Sequence, residues 1–215
     1  GPYGQNTMGH DANSNFNRAD FENHGFSERR NVTYGESHDE ERLMFKNLNY
    51  GNGTVKNLST ALERQKAFGA VFLTVPGPKM IWQFGELGYE FSINRCENGT
   101  ISNDCRTSPK PVAFSLGYDT NAERKAIYDT WAKILQIRLS SQGFDTTTFT
   151  VESGNLLPRI FVWNNALPTT SLKNVVVVDN KTLQIRGEIY KICKKDFQFL
   201  VDALIDTDFL ENIKL

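Results

Sequence analysis

The feature that most constrains the fold is a proline-bounded apolar run in the first half of the chain. Residues 76–78 are Pro-Gly-Pro, which ends any helix that reaches them, because proline lacks a backbone N–H and restricts the residue before it. Residues 79–84 are mostly apolar and of strand length, and Gly85 and Gly88 close them. The sequence therefore predicts a helix before residue 76 and a strand after residue 78.

The segment before the prolines has the pattern of an amphipathic helix. Leu62, Phe68 and Phe72 recur at helical spacing among Ala, Gln, Lys and Arg residues. Thr60 and Glu63 match the T-x-x-E capping box that opens many helices. We therefore expect Thr60 to be the N-cap of this helix.

A β-prone run and a second helical pattern extend the prediction. Residues 31–37 are expected to form the first strand, so that residues 31–84 are predicted as strand, helix, strand. From Asn121, a plausible N-cap, to Arg138 the chain carries one apolar stripe at helical spacing, which predicts a helix whose stripe forms core packing against a sheet. The stripe consists of Ile127, Trp131, Ile134, Leu135 and Leu139.

Three stretches are expected to be irregular, because they are rich in turn-forming residues. They are residues 1–30, 46–58 and 85–120. Phe21 and Phe26 are expected to anchor the first of them.

The pattern changes near residue 143 from helical to alternating. Strands are predicted at residues 146–151, 159–164 and 173–179, which indicates a small β domain. Residues 181–215 are richer in Lys, Ile and Asp, and we expect a strand followed by a helix. The apolar residues at helical spacing in that tail are Phe197, Leu200, Val201, Leu204 and Leu210.

Composition excludes several classes of protein. The 215 residues are 39% hydrophobic and carry 24 basic and 25 acidic side chains, for a net charge of −1. This balance does not indicate a nucleic-acid partner or an anionic membrane surface. No apolar run approaches the ~18 residues that a membrane span needs. Aromatic residues make up 12% of the chain and leave rings available for stacking on a ligand.

The cysteines are few. Cys96 and Cys105 lie in a polar, turn-rich segment, with a spacing that is poor for zinc and suits a disulfide loop. Two unpaired thiols remain the alternative, because spacing alone does not establish pairing. Cys193 lies in an alternating apolar run and is expected to be a small buried hydrophobe.

An ionisable pair, His38 and Asp39, follows the first predicted strand. In an α/β barrel, active-site residues lie at the carboxyl ends of the strands. A carboxylate there can stabilise developing positive charge, and the imidazole can donate hydrogen bonds to substrate hydroxyls. The alternative is that Asp39 caps the next helical turn, with Glu40 and Glu41 favouring its N-terminus.

Three sequence blocks together resemble glycoside hydrolase family 13, the α-amylase family. They are YGESHDEER at 34–42, PGPKMIWQFGELGYE at 76–90 and SINRCENGTISNDCRTSPKP at 92–111. The resemblance, to bacterial secreted α-amylases in detail, covers about residues 1–178. It implies that residues 1–142 are the C-terminal part of a catalytic (β/α)8 TIM barrel, its last two strand–helix units. It also implies that residues 143–180 are a partial β-sandwich domain and that residues 181–215 are an atypical tail.

The resemblance also implies roles for individual residues. Asp39 matches the third carboxylate of the family's site, which binds hydroxyls of the sugar being cleaved and helps distort its ring. His38 matches a hydrogen-bond donor to the substrate, although Ser37 stands where many members have Asn. Glu86 and Tyr89 are the candidates for further substrate binding.

The nucleophile and the general acid of this family come from strands that precede those represented here. The chain is therefore expected to be a fragment that is inactive by itself, and its start without Met agrees with that expectation. Glu36, Glu40 and Glu41 are expected to be solvated or helix-start acids rather than substitutes for the missing pair.

Weaker sugar-binding candidates lie near the second predicted strand and in the cysteine segment. Trp82 and Phe91 flank the strand end, but Trp82 is expected to pack in the barrel core. Arg106 and Lys110 are candidates for contacts with outer sugars.

A metal site was the rival interpretation for the histidines. His10, His24 and His38 are the three histidines of the chain and are fourteen residues apart, which fits no short zinc template. We therefore expect no metal or cofactor in this segment, and calcium stays open for the full-length enzyme.

Together these features predict a retaining hydrolase of α-1,4-glucans, secreted or on the cell surface, with starch or maltooligosaccharides as its partner. The alternative is a non-catalytic glucan-binding or structural fragment.

Overall fold

The computed structural model describes residues 1–140, 144, 147–154, 159–163, 173–179 and 184–186. Within these ranges the α-helices are α1 (Pro2–Met8), α2 (Phe21–His24), α3 (Leu43–Tyr50), α4 (Leu58–Thr74) and α5 (Ala122–Ser140). The strands are β1 (Thr148–Glu152), β2 (Arg159–Trp163), β3 (Lys173–Asp179) and β4 (Gln184–Arg186).

The helix predicted before the prolines is present as α4. Its N-cap is Asn57, three residues earlier than the capping box predicts, and no side-chain hydrogen bond caps the helix. The capping box at Thr60 and Glu63 is therefore wrong, because both residues already lie inside the helix. The C-terminal end at Thr74 agrees with the prediction that the prolines end this helix.

The second predicted helix is present as α5, and its cap is confirmed. The Asn121 side-chain oxygen accepts a hydrogen bond from the Arg124 backbone N–H at 3.1 Å. Its apolar stripe is core, as predicted, with Ile127, Trp131 and Ile134 buried, but it packs against helix α4 and not against the sheet that the sequence predicted. Leu139, at 85% exposed, lies outside the packed part of the stripe.

Helices α4 and α5 approach closely at a glycine. The Trp131 indole N–H donates to the Gln65 carbonyl at 2.9 Å, which places the ring over Gly69. A Cβ atom at Gly69 would lie 2.1 Å from Trp131 Nε1, so only glycine allows this contact. The Phe68 and Phe72 rings, stacked 5.1 Å apart, complete this aromatic part of the core.

The two strands predicted around α4 meet at one point. Thr33 and Lys79 form a parallel bridge: Thr33 N–H donates to the Pro78 carbonyl, and Met80 N–H donates to the Thr33 carbonyl, each at 3.1 Å. The chain therefore runs in the same direction on the two sides of this bridge. In the described part of the chain, residues 31–37 and 79–84 pair only at this bridge, so the predictions of full strands there are wrong.

Two of the three predicted irregular stretches contain helices. Residues 1–30 hold α1 and α2, and residues 46–50 belong to α3, so these loop predictions are wrong at those positions. Phe21 is a buried anchor as expected, whereas Phe26 is 47% exposed and does not anchor the segment. Apart from short 3-10 turns, residues 85–120 are irregular as predicted.

The strands of the second half pair in chain order into an antiparallel sheet, β1-β2-β3-β4. β1, β2 and β3 lie where strands were predicted. Phe149 and Val151 alternate as buried positions along β1, and the Phe149 ring lies 6.0 Å from that of Phe21. The predicted tail helix and Cys193 lie outside the described residues.

A search of the described ranges finds no helix with the length and apolar character to cross a membrane.

Candidate functional site

The His38–Asp39 pair lies in a turn that joins the extended segment at Thr33 to helix α3. We call residues 36–42 the rim turn. Its backbone is fixed locally by Ser37, whose hydroxyl oxygen accepts a hydrogen bond from Asp39 N–H at 3.1 Å. Ser37 is buried, whereas His38 and Asp39 are exposed. The turn therefore presents these two side chains to solvent.

The Asp39 carboxylate is exposed and has a cationic or polar neighbour at each oxygen. Its Oδ1 accepts from Arg106 Nη2 at 2.9 Å, and its Oδ2 lies 3.2 Å from His38 Nε2. The Asp39 side chain is 69% exposed. An ionised carboxylate has about four lone-pair sites, so it can accept further hydrogen bonds from hydroxyl groups of a ligand.

An indole ring lies beside this pair. The Trp82 ring centroid is 5.5 Å from that of His38, at an interplanar angle of 49°. Trp82 is partly exposed, although the sequence favoured a place for it in the core. The exposed surface thus combines a carboxylate, an imidazole, a guanidinium and an aromatic ring.

Beneath the exposed pair, the rim turn holds a buried ion pair. Glu36 Oε1 accepts from Arg42 Nη1 at 2.9 Å, and Glu36 Oε2 accepts from the Leu43 backbone N–H at 2.7 Å. Burial raises the pKa of Glu36, and the nearby Arg42 opposes that shift. Glu36 is therefore not solvated, and of the two predicted roles it has the second, since it accepts from the first backbone N–H of helix α3.

Glu41 is also engaged rather than solvated. Its Oε1 accepts from the Ser92 hydroxyl at 2.5 Å, and its Oε2 accepts from the Ile93 N–H at 3.2 Å. This contact fastens the rim turn to the segment that follows the second extended run. Glu40 is partly exposed, in agreement with the sequence.

The second extended run, residues 79–84, ends in a sharp bend at Phe84. Phe84 has φ +65° and ψ 6°, a left-handed conformation that is uncommon outside glycine and costs ~1–3 kcal/mol. Glu86 follows in a partly exposed position. Tyr89 is only 2% exposed and donates its hydroxyl to the Pro111 carbonyl at 2.5 Å. A ring in that position supports its neighbours and presents no face to a sugar.

The cysteine segment, residues 92–111, contributes Arg106 to the site. Cys96 and Cys105 form a disulfide bond, and Arg106 comes directly after it. Lys110 is committed to this segment, since its ammonium group donates to the carbonyls of Cys105 at 2.8 Å and Ser108 at 2.7 Å. Phe91, partly buried, packs on the covered Tyr89 ring. Arg106 is therefore the residue of this segment that reaches the exposed pair.

The three histidines lie in different surroundings. His10 Nε2 lies 3.0 Å from the Tyr50 carbonyl oxygen, His24 packs on Phe26 with ring centroids 4.7 Å apart, and His38 pairs with Asp39. Over the described residues, no three His, Cys, Asp or Glu side chains group as metal ligands would.

No protein-family model matches this chain, and no curated protein matches it significantly.

Sequence reasoning missed Arg42. The sequence shows Arg42 only as the last residue of a charged run. In the structure it is buried and links the rim turn to the backbone of Gln83. The available signal was an arginine six residues after an acid at a strand end, followed at once by an apolar helical run.

Proposed function

We propose that this chain contributes the sugar-stabilising part of the active site of an α-amylase-type glycoside hydrolase that acts on α-1,4-glucans. Asp39 is the transition-state stabiliser and His38 is a hydrogen-bond donor to substrate hydroxyls. Glu86 is a candidate contact with the substrate. The nucleophile and the general acid of the retaining mechanism come from residues outside these 215.

The observation that carries the proposal is the exposed Asp39 carboxylate, held between His38 and Arg106 with the Trp82 ring beside it. Sugar recognition needs hydrogen-bonding groups for the hydroxyls and an apolar face for the ring, and this surface offers both. The parallel bridge between Thr33 and Lys79 supports it, because it places the segment that leads to the rim turn beside the segment that leads to Trp82.

The chemistry follows from the charge of the transition state. Cleavage of a glycosidic bond develops positive charge on the ring, and hydrogen bonds to the sugar hydroxyls strengthen at that point. A fixed carboxylate at this position stabilises the charge without reorganisation. Arg106 Nη2 donates to Asp39 Oδ1 at 2.9 Å and so helps to fix the carboxylate in place.

An extracytoplasmic location is part of the proposal. Disulfide bonds persist in oxidising compartments, and the Cys96–Cys105 bond lies in the segment that carries Arg106.

Binding to a neutral oligosaccharide tests the proposal on the chain as it stands. Titration with maltoheptaose, followed by NMR or calorimetry, should show binding that Asp39→Asn weakens at least ~10-fold, because a charge-assisted hydrogen bond is worth ~1.5–3 kcal/mol. Asp119→Asn is the matched control, since Asp119 is an exposed acid in a different turn. Equal affinity of the two variants and the wild type would refute the role of Asp39.

The alternative, a non-catalytic glucan-binding module, has its own signature. Such a module would bind maltoheptaose whether or not Asp39 is charged, with affinity carried by exposed rings. Loss of binding on Trp82→Ala combined with full binding by Asp39→Asn would favour it.

A further inference from the structure

Arg42 is a buried cation that joins three separate parts of the chain. It is 6% exposed, and its Nη1 donates to Glu36 Oε1 at 2.9 Å and to the Gln83 carbonyl at 2.8 Å. Its guanidinium carbon lies 4.8 Å from the Tyr89 ring centroid and 5.9 Å from that of Trp82. One side chain therefore connects the rim turn to the backbone and rings of the second strand end.

The contacts continue from Arg42 to the exposed pair. Trp82, on which the guanidinium packs, lies against the His38 ring at 5.5 Å, and His38 Nε2 lies 3.2 Å from Asp39 Oδ2. The hydrogen bonds and ring contacts of Arg42 are to Glu36, Gln83, Tyr89 and Trp82, and Asp39 is not among these partners. Any effect it has on Asp39 must pass through Trp82 and His38 or through the backbone of the rim turn.

The surroundings leave this arrangement little freedom. A Cβ atom on Gly85 would lie 2.8 Å from Glu36 Oε1, so the second strand end can approach the ion pair only because residue 85 is glycine. The Tyr89 hydroxyl, bonded to the Pro111 carbonyl, fixes the ring under the guanidinium. A planar guanidinium can donate to two acceptors and stack at once, which an ammonium group cannot do.

We propose that Arg42 is a positioning residue for sugar binding, which holds Trp82 against His38 and so sets the place of Asp39. This inference rests on the proposed function, because it concerns the same site. The Glu36–Arg42 pair then does more than stabilise the fold. It sets the position of the rim turn relative to Trp82, and the sugar binds across these two segments.

A second buried arginine, Arg124, provides a control that separates a positioning role from a contribution to stability alone. Arg124 is also buried, pairs with Glu90 at 3.0 Å, donates to the carbonyls of Leu87 and Gly88, and stacks on Tyr118 at 3.6 Å. It thus repeats the chemistry of Arg42, but none of these contacts is in the rim turn. Arg124→Lys is therefore a matched control for the loss of a buried guanidinium.

The first measurement is geometric and does not need a ligand. NMR on the 215-residue chain should show a nuclear Overhauser effect between the His38 ring protons and the Trp82 indole protons, in both the wild type and Arg124→Lys. In Arg42→Lys this effect should disappear, because lysine keeps the charge and loses the planar group that packs on the Trp82 and Tyr89 rings. Glu36→Gln is the second variant: it removes the charge that holds Arg42 while its amide oxygen can still accept from Leu43 N–H.

The second measurement is maltoheptaose affinity of the same variants. We expect Arg42→Lys or Glu36→Gln to weaken binding at least ~10-fold, since small displacements of a positioned group reduce its effect steeply, and Arg124→Lys to stay within ~2-fold of the wild type. The thermal midpoint of Arg42→Lys and Arg124→Lys should fall by similar amounts.

Two results would overturn the positioning role: a His38–Trp82 effect that survives in both rim-turn variants, or equal losses of affinity in Arg42→Lys and Arg124→Lys. Failure of the proposed function gives a different result. The wild type would then not bind maltoheptaose, and the His38–Trp82 effect alone would decide whether Arg42 sets the geometry.

Discussion

Replacement of Gly69 by alanine tests the helix contact on which the first 140 residues depend. The new Cβ would lie 2.1 Å from Trp131 Nε1, and the Trp131 ring cannot stay there without losing its hydrogen bond to the Gln65 carbonyl. Trp131 is buried against Phe68 and Phe72, so any movement of its ring disturbs the packing of both phenylalanines.

The size of the effect follows from three contributions. Overpacking of a core costs ~1–3 kcal/mol, and a buried N–H left without an acceptor costs ~1–3 kcal/mol. Alanine in a helix recovers ~1 kcal/mol relative to glycine. The net loss is about 3 kcal/mol, which lowers the thermal midpoint by roughly 6–12 °C for a chain of this size.

Urea titration and thermal melting of Gly69→Ala measure this loss. Gly4→Ala is the matched control, because Gly4 is also helical and the nearest atom to its Cβ would be Lys46 Cδ at 3.5 Å. The control should gain ~0.5–1 kcal/mol from helix propensity alone. If Gly69→Ala were as stable as the wild type, the close approach of α4 and α5 would be refuted.

Three further predictions concern local devices of the fold. Asn121→Ala should lower stability by ~1 kcal/mol in urea titration, because it removes the side-chain cap of α5; no change would show that the cap is not used. Reduction of the Cys96–Cys105 bond, which closes a loop with a sequence separation of 9, should cost ~2.5 kcal/mol, and an unchanged midpoint in the Cys96→Ser, Cys105→Ser double variant would contradict this. Burial lowers the pKa of Lys79 from its ordinary 10.5 to about 6. Between about pH 6 and pH 10.5 the unfolded chain therefore binds more protons at Lys79 than the folded chain does. The contribution of Lys79 to the free energy of unfolding consequently rises with pH over this range. The stability of Lys79→Met relative to the wild type should therefore fall as pH rises from about 6 to about 10, and a constant difference in pH-dependent melting would be evidence against the burial of this ammonium group.

The helices with strong periodicity were predictable, and the reason is local. The stripe around Trp131 and the run around Phe68 repeat over several turns, and Pro76 gives an unambiguous end to α4. The start of α4 was not predictable in the same way, because Asn57 begins the helix without a side-chain hydrogen bond. Helix α3 was missed because glycines at 51 and 53 made its C-terminal half resemble a turn.

In the candidate site, too, the features that depend on local sequence were predictable and those that depend on distant contacts were not. The pairing of His38 with Asp39 could be predicted from the sequence, since the two residues are neighbours in one short segment. The burial of Glu36 could not, because its partner Arg42 is held by the Gln83 carbonyl, far along the chain. Glu41 likewise finds its partners at Ser92 and Ile93, and Arg106 reaches Asp39 across 67 positions. Contacts at such separations have no signature in local spacing.

The most direct test of the account is the turnover rate of Asp39→Asn in a complete enzyme. The chain would be joined to upstream strand–helix units of an α-amylase that supply the nucleophile and the general acid, and starch hydrolysis would be measured with Asp119→Asn as control. Loss of an electrostatic stabiliser predicts that kcat falls ~10²–10³-fold in Asp39→Asn and is unchanged in the control. A kcat of Asp39→Asn equal to that of the unmutated fusion would contradict the assignment of Asp39.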